Sequence, residues 1–237
     1  MDEVTGPAPD ARANLDTIAT HWFTLGDANQ FLVRYEQAVR SYLAVLLGNA
    51  DEADDVAHDF FIRVVERGFE HADPKRGRFR DYLKVAVRNA ALSHLRRKQR
   101  EPHLTHVAHG RVPVPQEAAD NEWLREWQSC VLQRAWRALK RHEDATPDNY
   151  FHTVLCLHVD RPDDNSRALA ERVAAAIGRP FSADAYRKQL SRARRKFAQL
   201  IVHEVAQTLE RPSRERILEE LADIGLRDFV IPFLAKA

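Results

Sequence analysis

Arg96, Arg97, Lys98 and Arg100 put four cations into five residues at the end of the stretch Gly77–Arg100, where Asp81 is the only acid. Arg78, Arg80, Lys84 and Arg88 lie earlier in the same stretch. Cations at a helix C-terminus favour the helix dipole. Four exceed what that requires, and binding to nucleic-acid phosphate accounts for the surplus. A second basic run carries Arg187, Lys188, Arg192, Arg194, Arg195 and Lys196, with no acid from Ala185 to Leu200. Opposite in sign are Asp51, Glu52, Asp54, Asp55 and Asp59. Asp51 and Glu52 suit the dipole at a helix start, whereas Asp55 and Asp59, one turn apart and deeper in, form an acidic ridge suited to a partner. His103, His106 and His109 share an HxxHxxH spacing. They fall between helices, without the cysteine or carboxylate ligands and scaffold that a zinc site needs, so no metal and no cofactor is expected.

The elements that must position these groups are helical throughout. In 237 residues, 44% are hydrophobic and 30% charged, a balance that suits a soluble chain of small helical cores. The net charge of +1 means that any case for nucleic acid rests on the distribution of charge rather than its sum. No apolar run approaches a membrane span, and the acidic, Pro-bearing start MDEVTGPAPD does not read as a signal peptide. Cys130 and Cys156 form no CxxC pair. A reduced, cytoplasmic protein is expected.

In chain order, 1–13 reads as a disordered arm, and Asn14 or Asp16 as the cap of a short helix leading to Trp22 and Phe23. Asp27 caps a longer helix ending before Gly48, with Phe31, Leu32, Tyr35, Val39, Tyr42, Leu43, Leu46 and Leu47 as its core face. Asp51 opens the next, whose stripe is Ala53, Val56, Ala57, Phe60, Phe61, Val64 and Val65, closed by Gly68. After a loop with an Asp73-Pro74 turn comes the basic helix, with Phe79, Tyr82, Leu83, Ala86, Ala90, Ala91 and His94 facing inward. Residues 101–120, interrupted by Pro102, Gly110, Pro113 and Pro115, read as a linker. Asp120 or Asn121 then caps a helix with the stripe Trp123, Trp127, Val131, Ala135 and Leu139, and the tryptophans read as core. Thr146-Pro147 opens a helix through Tyr150 to His158. A third helix starts near Asn165 or Ser166 and ends at Gly178, and Ser182 caps a fourth that continues to Pro212.

That last pair, a helix, a Gly-bearing turn and a basic helix, matches the build of helix-turn-helix DNA readers. Ser182 to Ser191 would meet base edges and the later arginines phosphates. The predicted architecture is all-α: a domain over 14–100, the linker 101–120, a helix-turn-helix domain over 121–212, and a helical extension over 213–237. In the extension, Ile217, Leu218, Leu221 and Ile224 share one face, followed by Phe229, Val230, Phe233 and Leu234. It reads as a hairpin packed on its own chain, or alternatively as a cover on a DNA-binding surface until a signal or partner moves it.

The run Ala53-Asp54-Asp55-Val56-Ala57-His58-Asp59-Phe60-Phe61-Ile62-Arg63, then Phe79-Arg80-Asp81-Tyr82-Leu83 through Arg88-Asn89 to Leu95-Arg96-Arg97 and Arg100, resembles region two of bacterial sigma factors of the extracytoplasmic-function (ECF) type. Leu190-Ser191-Arg192-Ala193-Arg194-Arg195-Lys196-Phe197 resembles their region four. The chain departs from the family pattern at Tyr82 (usually Trp), His58 (usually Gln) and Ser93 (usually Asp), and Arg179-Pro180 lengthen the turn before the last helix.

The resemblance implies a non-enzymatic, promoter-directing partner of RNA polymerase. Asp54, Asp55, Asp59, Phe60 and Arg63 would grip the β′ clamp helices, with a second contact at the β flap. Lys75, Arg76, Arg78, Arg80, Arg88, Asn89, Arg96, Arg97 and Arg100 would engage the minus-ten element as its strands separate. Asn89 also reads as a packing or capping amide. Ser182, Arg187, Lys188, Ser191, Arg192 and Arg195 would contact the minus-thirty-five duplex. An anti-sigma partner, or self-inhibition by 213–237, would regulate the whole. Two rivals stand beside this reading. One is a helix-turn-helix regulator that works without polymerase. The other is a hydrolase using the histidines, against which the chain has no HExxH, GxSxG or P-loop.

Overall fold

The computed structural model describes residues 27–69, 78–100, 116–209 and 211–234, and every element among them is an α-helix. The helix start around Asn14 to Phe23, the loop with Lys75 and Arg76, and the three linker histidines lie outside the described residues.

Helix α1 (Asp27–Leu47) buries Tyr35, Ala38, Val39, Tyr42, Leu43 and Leu47, the three- and four-residue recurrence of one helix face. Helix α2 (Ala50–Arg67) starts one residue before the expected Asp51. Its cap is Asn49, whose Oδ1 accepts a hydrogen bond from Glu52 N at 3.1 Å. Ala53, Val56, Ala57, Phe60, Phe61 and Val64 are buried as the spacing predicts. Val65, expected among them, is 43% exposed. Helix α3 (Phe79–Arg100) buries Phe79, Leu83, Val87, Ala90 and Ala91, while Tyr82, Ala86 and His94 are half-buried.

Helix α4 (Gln116–Ala145) starts ahead of the expected cap at Asp120 or Asn121, and its stripe Trp123, Trp127, Val131, Ala135 and Leu139 is fully buried. The stripe serves two neighbours. Its first half packs on α1, with the Trp127 ring stacked on Tyr35 (centroids 4.5 Å, planes 7° apart) and Trp123 against Tyr42 at 5.2 Å. Its second half packs on helix α7 (Ala183–Ala206), where Trp136 lies 4.5 Å from Phe197 and Arg134 Nε bonds Glu204 Oε2 at 2.6 Å. The tryptophans assigned to the second domain therefore bind that helix to the first. Trp127→Ala is expected to lower the unfolding free energy by about 3–5 kcal/mol, the usual cost of deleting a buried Trp. Urea melts check this, and a loss under about 1 kcal/mol would show that α4 rests only loosely on α1.

Thr146-Pro147 does not open the next helix. Those residues turn the chain after α4, through Asp148 at φ 60°, and helix α5 (Phe151–Asp160) begins beyond them with Asn149 Oδ1 accepting from Phe151 N at 3.0 Å. Helix α6 (Ser166–Ile177) is capped by Asn165, which accepts from Arg167 N and Ala168 N. It ends at Gly178, whose φ of 70° is the left-handed geometry glycine supplies without steric cost. Ser182 caps α7 by accepting from Ala185 N at 3.1 Å. Helix α7 buries Tyr186, Leu190, Ala193, Phe197, Ile201 and Val205, and it stops at Ala206 instead of running on to Pro212.

Helices α8 (Arg214–Asp223) and α9 (Arg227–Leu234) fold back as a hairpin on their own chain. Ile217, Leu221, Ile224 and Val230 are buried, Phe229 meets Phe197 at 6.1 Å, and Gln128 Nε2 donates to Ile224 O at 2.8 Å. The extension is thus seated on α4 and α7.

Candidate polymerase and nucleic-acid interfaces

The acidic ridge of α2 is on the surface. Asp54, Asp55 and Asp59 are exposed. Asp54 pairs with Arg40 of α1, which also bonds Glu36 Oε1 at 3.0 Å and lies over the Phe61 ring at 5.8 Å. The carboxylates of Asp55 and Asp59 have no ion-pair partner among the described residues, although the Asp59 carbonyl accepts from Arg63 Nε at 3.1 Å. Glu52 points the other way, tying α2 to α3 through Lys98 Nζ at 2.8 Å, with His94 Nε2 3.5 Å from its other oxygen.

Two features of this face differ from expectation. Phe60, expected to reach a partner, is 6% exposed and belongs to the core. In its place Ile62 (42% exposed) and Val65 stand out into solvent, beside a shallow groove that they line with Arg40, His58 and Phe61. The signal was in the sequence. Phe60, Phe61, Ile62, Val64 and Val65 are five apolar residues within six positions, more than one buried face of a helix accommodates. Exposed apolar side chains rimmed by unpaired carboxylates are the chemistry of a protein-docking surface.

On α3 the expected residues divide into two groups. Arg96, Arg97, Arg100 and Asn89 are exposed, and Val85 (54%) and Leu92 (39%) fall on the same side at helical spacing. Exposed cations, an amide and apolar patches on one helix can follow phosphates and hold an unstacked base. Arg88 is half-buried, and Lys84 pairs with Asp120 at 3.5 Å. The helix start behaves otherwise. Arg80, expected as a surface cation, is 3% exposed, and Arg78 is half-buried. Both are held by carboxylates of α8. Arg80 meets Asp223 at 2.9 Å and Glu220 at 3.2 Å, while Arg78 meets Glu220 at 3.2 Å, Glu219 at 3.6 Å and also Asp223.

On α7, Ser191, Arg192 and Arg195 are exposed and form no ion pair among the described residues. Arg187 and Lys188 are also exposed, but share Asp184 at 2.8 and 3.3 Å, and these two cations hold its carboxyl below the usual carboxylate range. The Ser182 hydroxyl is engaged in its cap. Arg194, on the inner side, donates to His158 Nε2; burial first and then the Arg194 charge hold that imidazole below its ordinary range. Before α7, Arg179 pairs with Asp148 at 2.5 Å and lies over the Tyr150 ring at 5.0 Å, which holds the lengthened turn against the turn between α4 and α5.

No helix among the described residues is long and apolar enough to cross a membrane. No curated protein and no solved structure matches the chain. Residues 31–101 do match the family model of sigma-70 region 2. The matched segment is α1 to α3, the part that carries both the acidic ridge and the basic helix. The match covers less than half of the chain, and over that segment the chain is similar to region 2 of sigma-70 factors.

Proposed function

We propose that the chain is a sigma factor of the ECF type, a non-enzymatic cytoplasmic subunit that brings core RNA polymerase to promoters. One observation carries this reading: the sigma-70 region 2 match coincides with a face where Asp55 and Asp59, without an ion-pair partner among the described residues, adjoin exposed Ile62 and Val65. A DNA-binding regulator acting without polymerase needs no such face, and that rival leaves it without a partner.

On this reading α2 docks on the β′ clamp helices through Asp54, Asp55, Asp59, Arg63, Ile62 and Val65. Helix α3 takes the minus-ten element with Asn89, Arg96, Arg97 and Arg100, helped by Arg88 and by Lys75 and Arg76 of the preceding loop. Helices α6 and α7 act as a helix-turn-helix unit on the minus-thirty-five duplex and meet the β flap. Ser191, Arg192 and Arg195 are the free contacts there, and Arg187 and Lys188 join once phosphate competes with Asp184. Ser182 contributes its backbone position, since its hydroxyl is occupied.

Transcription from a promoter library by core polymerase, with and without the chain, tests the proposal. A discrete subset of promoters is expected to fire only when the chain is present. Equal transcription in both arms, with the chain still binding duplex DNA, would favour the regulator.

A further inference from the structure

One ion cluster joins Arg78, just before α3, and Arg80 of α3 to three carboxylates of α8, separated by about 140 residues of chain. Glu220 is 1% exposed and Arg80 3%, so the pair at the centre of the cluster is buried. Its geometry is incomplete. Arg80 Nε and Glu220 Oε1 are 3.2 Å apart, yet neither Glu220 oxygen, nor Arg80 Nε or Nη1, meets hydrogen-bond geometry with any described partner. Burial pushes the Glu220 carboxyl above its ordinary range, against the pull of Arg80 and Arg78. A buried pair so poorly aligned adds little to stability compared with apolar side chains of similar volume. What it does is occupy the two cations at the start of the helix assigned here to the minus-ten element, Arg78 just before it and Arg80 in its first turn.

We infer that α8 is an intramolecular latch: Glu219, Glu220 and Asp223 take the place of DNA phosphates on Arg78 and Arg80, keeping the start of α3 from promoter DNA until α8 is displaced. This rests on the reading of α3 as promoter-binding. Two further observations support it. Both Asp223 and Glu219 are partly exposed, at 44% and 64% of their side chains, so an incoming polyanion can reach the cluster from solvent. The hairpin is seated on α4 and α7 through Ile224, Phe229 and Val230, so the latch also joins α3 to the helices of the second promoter contact.

The test uses the full chain and a short single-stranded DNA of mixed sequence at low salt, read by fluorescence anisotropy. The released variant Glu219→Gln, Glu220→Gln, Asp223→Asn is expected to bind about tenfold more tightly than the wild type, since two cations become available to phosphate. Adding Arg78→Ala and Arg80→Ala to that variant is expected to abolish the gain. Glu219→Gln with Asp223→Asn alone leaves the buried Glu220 in place and keeps the test readable if the triple variant melts early; it should show part of the gain. Unchanged affinity in both released variants would overturn the latch. So would a gain that survives the loss of Arg78 and Arg80. Transcription by core polymerase is run in parallel with the wild type. If it initiates while the released variants show no gain, the latch alone fails; if it does not initiate, the promoter-binding reading fails with it.

Discussion

Replacing Asp55 and Asp59 with Lys abolishes association with core RNA polymerase, by about a hundredfold or more, while thermal unfolding of the free protein is unchanged. The size follows from placing two cations where a complementary surface expects two anions, since like-charge contacts across an interface are strongly unfavourable. The unchanged stability follows from their position. Both side chains are exposed on α2, and neither carboxylate holds an ion-pair partner among the described residues. Asp54 is the informative control. It is tied to Arg40, so Asp54→Lys would disturb the α1–α2 contact as well as the docking face. Ile62→Ser and Val65→Ser together test the apolar part, and should weaken polymerase binding without lowering stability because both side chains are exposed. Pull-down with core polymerase, beside a melt of the free protein, reads both effects. Retained association by the double Lys variant would assign the ridge to another partner.

Exchanging Arg192 and Arg195 for Ala weakens duplex DNA binding by about tenfold at moderate salt and lowers the salt slope by about 1.8, at roughly 0.9 for each phosphate that is no longer neutralised. These two side chains are exposed on α7 and unpaired among the described residues, so they meet a phosphate without first giving up a carboxylate. Arg187 and Lys188 must leave Asp184 to do the same, and Arg187→Ala should have the smaller effect. Arg194 is turned to His158, and its removal should act on local packing more than on DNA. Titrations of a minus-thirty-five duplex at several salt concentrations separate these cases. A slope unchanged in the Arg192, Arg195 variant would move the duplex-binding surface off this face.

Helix by helix, the sequence was readable wherever neighbours in the chain decide the structure. The α2 stripe, the Asn165 and Ser182 caps and the glycine end of α6 each depend on residues within a turn or two. Local signals misled where a tertiary partner overrode them. Thr146-Pro147 has the composition of a helix start, but α4 runs to Ala145 and the chain needs those positions to turn before Tyr150 meets Phe181. Trp123 and Trp127 were legible as core, but not as the core shared with α1, because nothing near them names Tyr35 and Tyr42 as partners. The same limit applies at the site. The charge pattern located the acidic ridge and both basic helices. It could not show that Arg80 is buried, because the carboxylates that bury it arrive about 140 residues later on an extension whose apolar face was visible but whose docking place was not.

These observations describe one chain with three charged surfaces in different states of readiness: an open acidic face on α2, a free cationic face on α7, and an α3 whose first cations are held by α8. The central claim is that α3 and α7 touch one promoter at two separate places while α2 is on polymerase. Site-specific photocrosslinking tests it most directly, with the reactive group placed at Asn89 on α3 in one sample and at Ser191 on α7 in another. In the complex with core polymerase, the two are expected to label DNA roughly 25 base pairs apart, about 85 Å along the helix, and the Asn89 label is expected only when polymerase is present. Labels at a single place on the duplex, independent of polymerase, would contradict the account.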